Sequence, residues 1–148
     1  MPLAAKLARR PPRDILLATE AFLLLAIFRI ALVVVPVRRI LRAIGHNQTT
    51  AEPLPETTPG VPTLAQALRV RWAVEAVTRN STARFVCFPQ TLAGYTMLRR
   101  RHVPSTMVYG VTRSDLGELI AHTWLTVGDR IVLGGEGSSA FTPIDRWT

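Results

Sequence analysis

Residues 84–101 read RFVCFPQTLAGYTMLRRR and contain Cys87, the chain's only cysteine. Pro89 is tolerated in a first helical turn, where its missing N–H loses no bond. Leu92, Tyr95, Met97 and Leu98 then recur at roughly helical spacing up to the triple arginine 99–101. The stretch therefore predicts a helix headed by Cys87. Unpaired N–H groups and the positive end of the dipole favour a thiolate at that position, and the thiolate is the nucleophilic form of cysteine. Plain burial suits a lone cysteine equally well. Position alone does not separate the two readings.

Downstream, the period changes from helix to strand. STMVYGVTR (105–113) and ELIAHTWLTV (118–127) are rich in β-branched and aromatic residues, and Gly128–Asp129 is a two-residue hairpin turn leading into RIVLG (130–134). His122 alternates with Trp124 and Thr126 on one face of the middle strand. A strand histidine beside a tryptophan suits core packing. A cysteine at a helix N-terminus followed by an antiparallel sheet that offers a histidine is also the layout of thiol enzymes, in which imidazole takes the thiol proton and returns it to the leaving group. Such a pair requires Cys87 Sγ to fall within or close to hydrogen-bond reach of a His122 ring nitrogen.

Upstream, ILLATEAFLLLAIFRIALVVVPV (15–37) is long enough to span a bilayer, but Arg29 near its middle and Glu20 nearer one end make insertion marginal. No small-residue cleavage motif follows it, which argues against a secretory signal. The expected structure is a pair of helical segments, with Asp14 as N-cap and Pro36 breaking the chain before VRRILRAIG (37–45). Glu20 and Arg29 lie on opposite sides of the first helix, so much of its circumference needs a cover of protein or lipid. NQTTAEPLPETTPGVPT (47–63), with four prolines, has the composition of a linker. TLAQALRVRWAVEAVTRN (63–80) reads as a helix capped by Thr63, with one apolar strip of Leu64, Ala65, Leu68, Trp72 and Ala76 and a second of Ala67, Val70, Val74 and Val77. The chain thus divides into a hydrophobic, basic helical arm (1–46), a Pro/Thr-rich linker (47–62) and a catalytic unit (63–148).

The 148 residues carry a formal charge of +8, and residues 1–50 hold eight Lys and Arg against two acids. That bias suits an anionic membrane surface, an acidic peptide or nucleic acid. No zinc-finger spacing, RNA-binding signature or aromatic-interleaved basic platform supports nucleic acid as a partner. One cysteine excludes an internal disulfide and fits a reducing, cytoplasmic setting. His46, His102 and His122 are too scattered to suggest a metal site. No cofactor is expected. Membrane association stays open without being favoured.

The run CFPQTLAGYTMLRRRHVPSTMVYGVTR (87–113), followed by IAHTWLTVGDRIVLGG (120–135) and FTPI (141–144), resembles the transglutaminase-like peptidases of lasso-peptide biosynthesis. The likeness is to the stand-alone peptidase half of the split B protein, with Thr123 replacing that family's usual small alanine in AHTW. The resemblance implies an α+β transglutaminase-like/papain-like thiol protease core, a Cys-bearing helix packed on a small antiparallel sheet, with an N-terminal helical arm. It also implies that Cys87 is the nucleophile and His122 the general base and acid, in removal of the leader from a ribosomally made precursor peptide. Implied partners are that precursor, a small leader-recognition protein and an asparagine-synthetase-like, ATP-using lasso cyclase. No region of winged-helix size remains here for leader recognition.

The family's third member is an acid on the strand after the histidine. Counting outward from the Gly128–Asp129 turn places Gly135 opposite His122, and neither Gly134 nor Gly135 carries a carboxylate. The acid is left unassigned among Glu136, Asp129 and Asp145, and a backbone carbonyl or an amide is an alternative orienting group. Two other functions compete: a transglutaminase or amidase acting on Gln side chains, and a non-catalytic membrane-associated interaction protein with Cys87 and His122 in its core.

Overall fold

The computed structural model describes residues 10–44, 57–80 and 87–148. Among the described residues four α-helices accompany a four-stranded antiparallel sheet, two of them packed directly on its strands. The four are α1 (Pro12–Val34), α2 (Val37–Ala43), α3 (Val61–Asn80) and α4 (Cys87–Arg100). The strands β1 (Thr106–Arg113), β2 (Leu119–Val127), β3 (Arg130–Leu133) and β4 (Thr142–Trp147) lie in the order β3-β2-β1-β4. This is the expected α+β fold with an N-terminal helix.

Pro36 does end α1 and heads α2. The helix starts differ from the sequence expectation. α1 begins at Pro12, which leaves Asp14 inside the first turn, where it pairs with Arg69 of α3 at 2.9 Å instead of capping. α3 begins at Val61, and the carbonyl of Gly60 accepts the first bond from Leu64 N, so Thr63 is not the cap. In both cases a proline fits a first turn that has no use for its N–H. α3 turns its Ala67, Val70, Val74 and Val77 strip inward together with Ala73, while Leu68 stays exposed. Small residues at 67 and 73 let neighbouring backbones come close. Trp72, on the other strip, carries the Arg10 guanidinium 5.2 Å from its ring.

His102 closes the end of α4. It adopts a left-handed φ of 55°, His102 N donates to Arg99 O, and Val103 N donates to Leu98 O, which together close the helix as a Schellman cap.

One core joins the helices to the sheet. Leu17, Ala21, Leu25 and Phe28 of α1 pack with Val70 and Val74 of α3, with Leu92, Met97 and Leu98 of α4, and with Met107, Leu125 and Val127 of the sheet. The segment expected to form an arm is thus continuous with the core of the remainder. The linker expected over 47–62 lies outside the described residues as far as position 56. Beyond it, Thr57 O accepts a bond from Asp129 N at 3.2 Å at the β2–β3 turn.

The hairpin turn falls at Gly128–Asp129 with Val127 opposite Arg130, but the register beyond it differs from a simple count. Thr126 pairs with Ile131 and Leu125 with Leu133, so Val132 is an extra residue on β3. The bulge shifts the last pair by one position, and the ladder then ends at Leu133, so Gly135 does not stand opposite His122. β4, which the sequence reading did not mark as a strand, forms the far edge and places Asp145 opposite Tyr109.

Candidate active site

Cys87 is the first residue of α4 and half-buried. Its turn is pinned to the sheet through Thr91, whose hydroxyl donates to the carbonyls of Cys87 and Phe88, both at 3.0 Å, and lies 2.8 Å from the hydroxyl of Thr123 on β2. Both threonines are buried. Thr123, the departure from the AHAW pattern, thus ties the cysteine-bearing turn to the strand that carries His122.

A cavity of about 570 Å³ opens in front of Cys87. Cys87 and His122 both line it. Val37 and Leu41 of α2 form an apolar wall with Phe88 and Trp147. Polar groups enter from Arg38, Tyr109 and Asp145. Sequence reasoning missed the α2 contribution, because nothing in VRRILRA says which surface it will reach.

The imidazole is held from the far side. Thr123, Leu125 and Val127 face the helices, so strand alternation sets His122 beside Trp124 on the other face. Its ring stacks on Trp124 (6.0 Å, 28°) and tilts against Phe141 (5.0 Å). Nε2 lies 2.8 Å from the carbonyl oxygen of Gly134, where an N–H at that nitrogen donates to the oxygen and leaves Nδ1 as the basic nitrogen. Among the described residues no hydrogen bond joins Cys87 to His122. The two residues border one cavity, but the imidazole is turned to the face of β2 away from α4.

The three carboxylates are placed differently from one another. Asp129 sits in the β2–β3 turn, with Thr58 Oγ1 3.4 Å from its Oδ2 and Arg130 Nε 3.8 Å from its Oδ1. Glu136 is exposed in the turn after β3. Asp145 alone lines the cavity, on β4, two strands away from His122. The imidazole's hydrogen-bond partner is therefore a peptide oxygen. Among the described residues, no three His, Cys, Asp or Glu side chains gather as a metal site.

A helix-borne cysteine on an antiparallel sheet whose second strand carries a histidine defines a class of fold. The family model described as the transglutaminase-like superfamily matches residues 31–146, and the chain belongs to that superfamily. Its members typically depend on a cysteine for catalysis. No curated protein and no solved structure matches the chain.

Proposed function

We propose that this chain is a cysteine peptidase that cleaves the leader from a ribosomally synthesised lasso-peptide precursor. One observation carries the thiol chemistry: Cys87 at the head of α4 and His122 on β2 line the same cavity in a transglutaminase-like fold. The order of Cys87, Tyr109-Gly110-Val111 and Ala121-His122-Thr123-Trp124 supports the choice of substrate.

The reaction requires the imidazole, which here lies on the face of β2 away from α4, to turn about the open edge of β2 beyond Leu125 and bring Nδ1 to the sulfur. His122 Nδ1 accepts the thiol proton, and Cys87 Sγ adds to the carbonyl carbon of the last leader residue. Backbone N–H groups at the start of α4 face the oxyanion. The C–N bond then breaks as His122 returns its proton to the departing amine, leaving a thioester on Cys87. Water, deprotonated by the same imidazole, adds to the thioester and releases the leader as a carboxylate. The freed core amine is the group that an ATP-using cyclase joins to a side-chain carboxylate. A separate small protein delivers the leader.

Incubation of the chain with a precursor and its leader-binding protein, read by mass spectrometry, tests this. Two fragments are expected, with a gain of one water. Cys87→Ala and His122→Ala abolish them while circular dichroism stays unchanged. Amide exchange without backbone cleavage, or cleavage that survives Cys87→Ala, refutes the proposal.

A further inference from the structure

α1 buries one side and leaves the other bare. Leu16, Leu23, Ile27, Ile30 and Val34 fall within about 60° of arc at 3.6 residues per turn, and all are exposed, from 54% at Leu23 to 72% at Val34. Phe22 and Val33 widen the strip. Among the described residues α1 is the one helix long and apolar enough to cross a membrane.

Crossing would require withdrawing Leu17, Ala18, Ala21, Leu25 and Phe28 from the core. It would also break the bonds of Glu20 to Arg101 at 2.5 Å and to Arg100 at 3.1 Å. What is left free is a stripe lying along the molecule's side.

The charges around it have one sign. Glu20, the acid beside the stripe, is matched by two guanidiniums. Arg13 is exposed near one end of α1, and Arg39 and Arg42 are exposed just past the other. The five residues at its centre are aliphatic, with Phe22 at the margin the one aromatic. Protein–protein contact cores favour Tyr, Trp, Met and Arg and seat them in pockets. A convex aliphatic face flanked by arginines matches acyl chains below and anionic headgroups at the rim. We infer that α1 docks in the plane of an anionic lipid bilayer, its Leu16–Val34 stripe in the acyl boundary and the arginines of its flanks at the headgroups.

The full chain, sedimented with vesicles of phosphatidylcholine or of equal parts phosphatidylcholine and phosphatidylglycerol, tests this. Pelleting with the anionic vesicles, weakened by salt, is expected. Arg39→Gln/Arg42→Gln lowers that partition by about thirtyfold, at about 1 kcal/mol per basic residue near the surface. Leu23→Gln/Ile27→Gln/Ile30→Gln keeps every charge and the helix-forming character, so loss of pelleting in that folded variant separates docking from diffuse attraction of a basic protein.

Equal pelleting of wild type and the triple variant overturns the inference. Resistance of the bound chain to alkaline carbonate extraction would mean that the helix spans, and overturns it as well. Failure to pellet with either vesicle, with the stripe instead covered by a second copy or a protein partner, does the same.

Discussion

Gly134→Ala tests the link between backbone geometry and the imidazole. Gly134 has φ +70°, and a Cβ there would lie 2.5 Å from Thr123 O and 3.1 Å from Trp124 Cα, both backbone atoms of β2. The left-handed conformation costs an alanine about 1–2 kcal/mol. Forcing two backbones apart adds about 1–3 kcal/mol, as overpacking does. The stiffer unfolded chain returns about 0.4–1 kcal/mol. Gly137 supplies the control: its φ is +73°, yet an added Cβ meets nothing within 4 Å, so Gly137→Ala bears the conformational cost alone.

The two variants should therefore differ by about 1–3 kcal/mol. At about 2–4 °C per kcal/mol for a chain of this size, Gly134→Ala melts several degrees below Gly137→Ala by circular dichroism. Displacing the Gly134 carbonyl also removes the partner of His122 Nε2. Turnover of a cleavable peptide should fall about tenfold or more in Gly134→Ala, up to the roughly 10²–10⁴-fold attributed to a positioned base, and hold in Gly137→Ala. Equal melting temperatures would refute the steric argument. Unchanged turnover in a destabilised Gly134→Ala would refute the role of the carbonyl.

Thr91→Val strands the buried hydroxyl of Thr123 and should cost about 1–3 kcal/mol in urea unfolding. Thr123→Val leaves Thr91 with its two carbonyl acceptors and should cost about 1 kcal/mol or less. Burial raises the Tyr95 phenol above its ordinary value of 10.0, with Arg99 opposing. The folded state thus holds that proton longer than the unfolded state, so melting temperature should decline as pH rises past about 10 and decline less in Tyr95→Phe. Glu20→Gln weakens the contacts to Arg100 and Arg101 and should lower stability by about 1.5 kcal/mol, the lower end for charged hydrogen bonds because Arg100 is largely exposed.

Local rules explain which parts of this fold can be read from sequence. Cys87 at a helix start, the break at Pro36 and the Gly128–Asp129 hairpin each depend on a few adjacent residues, and each stands in the structure as expected. Asp14 and Thr63 failed as caps because a neighbouring proline started each helix sooner. The bulge at Val132 and the end of the ladder at Leu133 have no signature in RIVLG, and His122 consequently meets the Gly134 carbonyl and not a paired strand residue. β4 carries two charged residues and a proline in six positions, so its pairing as an edge strand rests on β1. The wall that α2 gives the cavity is a long-range contact between residues about fifty positions apart. No periodicity reports that.

A peptide oxygen beside His122 cannot be deleted by changing a codon, and it gains no proton as the solution turns acidic. Replacing Asp129, Glu136 and Asp145 one at a time would thus turn up no partner for the ring, though loss of Asp145 still alters the cavity wall. What a carboxylate does elsewhere is here entrusted to the shape of a turn, and the genetic trace of that arrangement is a glycine.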